Sequence, residues 1–205
     1  MKKIVLLVVL ALAGVAAWYF WETKPKPDNE VAALSQPLAS KHSLAFNQSV
    51  DSVLNAYYAL SDALVNWDSA KAQIHTTQLK DRLAHFPLSE LKGDEALQQT
   101  ARPLLAQVQQ GTTSMEAAAG LEAKRRAFHT LSQNLYNLLR TVRYDAATIY
   151  LQECPMAFND DGTGNWLSQT AAIRNPYLGT QHPKYKSGML ECGETKDSID
   201  FAHGK

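Results

Sequence analysis

Val50, Val53, Tyr57, Leu60, Leu64 and Trp67 recur at alternating intervals of three and four residues. That spacing puts all six on one helical face, as an a/d seam. A second seam follows at Ala72, Leu79, Leu83 and Phe86. Asp68 opens it, because its carboxylate can accept the unpaired amides of a first turn, and Pro87 stops it. Leu97, Ala101, Leu104 and Val108 predict a third helix from Asp94 to Gln110, with Pro103 inside it to kink or split it and Gly111 as its C-cap. Thr113-Ser114-Met115-Glu116 has the order of a capping box and predicts a fourth helix reaching Tyr144. The seam of that helix reads Leu121, Phe128, Leu131, Leu135, Leu138 and Val142, which leaves Lys124, Arg125 and Arg126 for a solvated face.

A helix with one apolar stripe cannot bury that stripe alone, whereas four such stripes can face one another. The expected fold is therefore all-α: an antiparallel four-helix up-down bundle over residues 44–145. After Tyr144 the pattern changes. Six of the ten glycines lie beyond residue 150, together with Pro155, Pro176 and Pro183. Thr148, Ile149, Tyr150 and Leu151 favour extended backbone, so Ala146 to Gln152 can begin a short strand or strand pair. The remainder of residues 146–205 reads as an irregular cap packed on one end of the bundle, with Trp166, Ile173, Tyr177 and Leu190 as its apolar anchors.

Ahead of the bundle, Lys2-Lys3 precede an uncharged run from Ile4 to Trp21. A helix of that length spans about 27 Å, close to the hydrocarbon thickness of a bilayer. The lysines predict a cytoplasmic N-terminus, and Trp18, Tyr19, Phe20 and Trp21 an aromatic belt at the far interface. Residues 1–21 are thus expected to be a membrane anchor; a cleaved signal segment is the alternative, with Ala13 to Ala17 as small residues for cleavage. Either way the remainder is exported, which in a bacterium means the periplasm. Residues 22–43, with Pro25, Pro27 and Pro37, read as a semi-rigid linker. A formal net charge of zero over 205 residues argues against a nucleic-acid partner.

The two cysteines, Cys154 and Cys192, are the only ones in the chain, and each has a methionine two or three residues away, Met156 and Met189. In an oxidising compartment they can close a disulfide that staples the cap, worth about 3–4 kcal/mol in the chain-entropy model. Reduced, the two thiolates and two thioethers suit Cu(I) or another soft metal, with the His182 imidazole as a further donor. Both uses remain open, and they are compatible over a redox cycle, since only the reduced pair can hold metal. Asn159 to Asn165 resembles a calcium loop only faintly and reads as a tight turn. His75, His85 and His129 fall on different helices and read as exposed or capping residues, and Tyr57, Tyr58 and Trp67 read as core. No protease or transferase signature surrounds either cysteine, so no catalytic residues are assigned and the chain is expected to be a binding or interaction module.

Cys154-Pro155-Met156-Ala157, Trp166-Leu167-Ser168, Ile173 to Gly179 and Met189-Leu190-Glu191-Cys192-Gly193 resemble the motifs of an exported bacterial family, the domain of unknown function 3347. Tyr57 to Val65 is similar to its first helix and Arg126 to Ser132 to its last, so the resemblance runs from Val50 to Gly193. The family has no established enzyme activity. It occurs beside, or fused to, adaptor subunits of copper and silver efflux systems, which implies metal handling in the periplasm with an efflux adaptor or other envelope protein as partner. The family pattern passes soon from Asn-Pro-Tyr-x-Gly to Met-Leu-x-Cys-Gly, whereas here Thr180 to Gly188, with His182, intervenes.

Overall fold

The computed structural model of the chain describes residue 18 and residues 40–91, 93–158 and 162–203. Trp18 belongs to a unit spanning Met1–Gln36, and the other described residues to a compact unit spanning Pro37–Lys205. Apart from Trp18, the anchor expected over residues 4–21 lies outside the described residues, as does the expected linker up to residue 39. Among the described residues no helix is long and apolar enough to cross a membrane.

Among the described residues four α-helices make up about half of the second unit: α1 (Leu44–Val65), α2 (Ser69–Ala84), α3 (Glu95–Ala117) and α4 (Gly120–Thr141). Three of them start where a side chain can take an orphan amide. Ser43, Asp68 and Asp94 accept from the backbone N–H groups of Phe46, Lys71 and Leu97. The seam residues Val50, Val53, Tyr57, Leu60, Leu64, Leu79, Leu83, Val108, Phe128, Leu131, Leu135 and Leu138 are all buried in one core. α1 ends in a Schellman arrangement: Asp68 N–H donates to the Ala63 carbonyl (2.9 Å) and Trp67 N–H to that of Leu64 (3.2 Å). The left-handed position is filled by Trp67 itself, with φ 60°.

The expected boundary between the third and fourth helices is wrong by about two turns. Gly111 does not cap α3, which continues to Ala117, and the chain turns at Ala118 and Ala119 instead. The Thr113 hydroxyl donates back to the Gln109 carbonyl at 3.3 Å and caps nothing, and Met115 is fully buried inside the helix. Gly111 is there for close approach: a Cβ at this position would lie 3.1 Å from Leu131 Cδ1 and 3.3 Å from Leu131 Cα, so its missing side chain is what lets α4 pack against α3. Pro103 sits within α3 without ending it.

The C-terminal lobe is not wholly irregular, so the expected all-α class needs correction to a mostly helical fold carrying a small antiparallel sheet. β1 (Ile149–Cys154) is the central strand, flanked by β2 (Gly164–Ser168) and β3 (Glu194–Ile199). The expected strand over Ala146 to Gln152 is β1, three residues later than predicted. β3 carries Glu194, Thr195, Lys196, Asp197 and Ser198 on exposed positions, so neither apolar alternation nor β-branched bulk marked it. It is a charged edge strand, which discourages pairing with other chains.

Candidate functional site

The register of the sheet explains why the two cysteines meet. Cys154 ends β1, and Glu153 pairs with Glu194 at the start of β3, so the residues just before β3 are carried back past the end of β1. Gly193 makes that approach possible: its φ is 142°, and a Cβ there would lie 2.6 Å from the Glu153 carbonyl oxygen and 2.9 Å from the Trp166 ring. The result is a Cys154 Sγ to Cys192 Sγ distance of 3.3 Å across 38 residues of chain. Both are free thiols. Cys154 is fully buried and Cys192 half-buried. Burial, followed by the adjoining Cys154 sulfur, pushes the Cys192 thiol up to about 11.

Asn175 holds the second cysteine in place. It is fully buried; its Nδ2 donates to the Cys192 carbonyl (2.8 Å), and its Oδ1 accepts from the N–H groups of Tyr177 (2.8 Å) and Leu178 (3.0 Å). The Asn-Pro-Tyr-Leu-Gly stretch is therefore an Asx turn that serves the thiol pair. Met156 and Met189 are half-buried and pack against the same core as Cys154. His182 is engaged elsewhere: its ring stacks on Tyr185 at 5.0 Å and meets the edge of Trp67 at 5.9 Å, and its Nδ1 accepts from the backbone of Lys184 and Tyr185 at 3.3 Å each. Asn159 to Asp161 lie outside the described residues. Among the described residues no three His, Cys, Asp or Glu side chains gather as a metal cluster.

The lobe is fastened to the helices by residues the sequence reading misplaced. Lys124 and Arg125, expected on a solvated face, are each only 4% exposed. The signal was present: Arg125 stands four residues after Leu121 and three before Phe128, within the seam. Its Nε donates to the Pro176 carbonyl and its Nη2 to the Leu64 carbonyl, both at 2.8 Å, while the guanidinium lies 4.0 Å from the centre of the Trp67 ring. Burial lowers its pKa to about 10, still well above neutral, so it stays charged. Lys124 Nζ donates to the Met115 carbonyl (2.8 Å) and to Gln73 Oε1 (2.7 Å), closing the C-terminal end of α3. Arg126 is exposed and pairs with Glu122, as expected of a solvated residue. Trp67 donates its indole N–H to the Leu178 carbonyl (2.9 Å), and Thr180 N–H reaches the Val65 carbonyl (2.9 Å). The open carbonyls at the end of α1 are thus taken up by α4 and by the lobe that bears Cys192.

A second fastening lies deeper. Leu167 N–H, in β2, donates to the Tyr57 hydroxyl (3.0 Å); Tyr57 and the Ser132 hydroxyl are 2.6 Å apart; Ser132 donates to the Phe128 carbonyl (2.7 Å). Every group in that buried chain is satisfied when Tyr57 donates to Ser132. His129 joins β2 as well, since its Nδ1 accepts from Asn165 N–H at 3.0 Å, and burial lowers its pKa. His75 is half-buried and His85 exposed.

No curated protein and no solved structure matches the chain. Residues 53–146, from within α1 to just past α4, match the model of the family described as "Protein of unknown function (DUF3347)", which supports that domain family for the helical scaffold; the Cys154–Cys192 lobe lies beyond the matched span.

Proposed function

We propose that this chain is a non-catalytic binding module of the bacterial periplasm, held to the inner membrane through residues 4–21, whose working group is the Cys154/Cys192 pair. The observation that carries the reading is the 3.3 Å separation of two free thiols that the sequence sets 38 residues apart. The donor chemistry suits Cu(I): the two thiols stand together, and the thioethers of Met156 and Met189, two and three residues from them in the chain, would complete a soft set. Such an ion would supply reversible, deprotonation-linked binding to the module. The chain's own part is to bring the sulfurs together, through Asn175 and the close approach at Gly193, and to exclude water around Cys154. His182 belongs to the proposed set only if it leaves its Trp67 and Tyr185 contacts. The partner that receives or delivers the ion would be an efflux adaptor or another envelope protein.

Anaerobic titration of the reduced protein with Cu(I) against a chromophoric chelator tests this reading. One equivalent should be withdrawn from the chelator by the wild type and none by the Cys154→Ser/Cys192→Ser protein. Equal uptake by both proteins, or no uptake by either, would remove the proposal.

A second reading is favoured by the complete burial of Cys154. In it the pair is a structural staple. Exchange with a partner disulfide would form the Cys154–Cys192 bond, transfer two electrons to the partner, and release the two thiol protons to the partner's thiolates. Mass spectrometry of the protein as isolated from the envelope, with and without thiol alkylation, separates the two: alkylation of both cysteines excludes the staple.

A further inference from the structure

We propose that a cleft between α1 and the start of β1 binds an organic ammonium ion. The cleft has a volume of about 560 Å³. Its described lining includes Asp51, three tyrosines (Tyr58, Tyr144 and Tyr150) and the apolar Leu54 and Ile149, with no Lys, Arg or His among them. It lies in the range of small-molecule sites.

Two features select the ligand. Asp51 accepts a hydrogen bond from the Tyr144 hydroxyl but makes no ion pair among the described residues, so the cleft carries an uncompensated carboxylate. Arg82 shares an adjoining groove with Asp51 yet does not bridge to it. A negative charge repels anions, and tyrosine rings attract cations through their faces. A hard metal ion would need several oxygen ligands, and the cleft offers one carboxylate. An organic cation fits both the charge and the volume.

An ammonium N–H can donate to the free Asp51 oxygen, with the half-buried Tyr58 and Tyr150 beside it. The inference does not depend on the thiol pair, and neither outcome at one site decides the other.

Calorimetric titration of the full chain in detergent with phenethylammonium and with its neutral counterpart 2-phenylethanol tests the proposal. The ammonium ion should bind saturably, and about tenfold more tightly than the alcohol. Asp51→Asn should weaken ammonium binding by about tenfold while leaving the alcohol unaffected, and Tyr150→Ala should weaken it about threefold. The proposal is overturned if the ammonium ion shows no saturable binding up to about 10 mM, if the alcohol binds equally well, or if a folded Asp51→Asn protein binds as the wild type does. Should Asp51→Asn fail to fold by circular dichroism, the alcohol comparison on the wild type and the Tyr150→Ala result decide the matter.

Discussion

Arg125 is a charge taken almost wholly out of water, and its donors are answered by the Leu64 and Pro176 carbonyls and the face of Trp67. Replacing it with methionine keeps much of the volume but strands the Pro176 carbonyl and leaves that of Leu64 with Trp67 N–H alone. We expect Arg125→Met to lose about 2–4 kcal/mol in urea unfolding, and Arg125→Lys to recover only part of that, because an ammonium cannot reproduce the planar fork. Equal stability of all three proteins would contradict the fastening role. His129 gives a pH dependence. Its folded pKa is depressed by burial, and the fold uses the neutral ring as acceptor for Asn165 N–H. The unfolded chain then binds more protons near the ordinary histidine value, about 6.5. The His129 contribution to stability is therefore present above that pH and lost as pH falls through the folded pKa. The melting temperature should drop between pH 7 and pH 5 in the wild type and drop less in His129→Gln; parallel curves would remove this role. Cys192, with its thiol pushed up to about 11, should alkylate slowly at pH 8 in the reduced protein, about a hundredfold below an unperturbed thiol. Alkylation of Cys192 at the rate of a free cysteine peptide would contradict its burial against Cys154.

At the scale of elements, the helices were legible because each has a seam and three begin at a Ser or Asp cap. The boundary between α3 and α4 was not, because Gly111 and the Thr113 to Glu116 order are ambiguous in one dimension. A glycine near a helix end and a glycine under a neighbouring helix look alike in sequence. The distinction is measurable. Alanine normally stabilises a helix interior over glycine by about 1 kcal/mol, but here its Cβ meets Leu131 at 3.1 Å. Gly111→Ala should therefore destabilise by about 1–3 kcal/mol, the range for overpacking, and Gly111→Ala/Leu131→Ala should recover part of the loss. A stabilised single variant would contradict the tight α3–α4 contact. β3 escaped the sequence reading for another reason. An exposed edge strand need bury nothing on its own account, so its pattern is polar, and only its pairing with β1 makes it a strand.

Across the whole unit, the lobe and the helices are held together by long-range polar ties. Arg125, Trp67 and Thr180 join the end of α1 to the loop before Cys192, and Tyr57 and Ser132 join α1 and α4 to β2. This explains which parts of the site the sequence disclosed. The cysteines and their neighbouring methionines stood out by their rarity, and so did the Asn-Pro-Tyr-Leu-Gly turn. What brings them together did not: in a linear reading a charged edge strand, the Asn175 side chain and Arg125 all look like groups that face water, whereas Asn175 and Arg125 are buried. In the proposed account the reduced pair shares one Cu(I). The most direct measurement is anaerobic alkylation with N-ethylmaleimide of the reduced protein, with and without one equivalent of Cu(I), counted by mass spectrometry. Slow addition at Cys192 without the metal and none with it is predicted; equal addition in both samples would contradict the account.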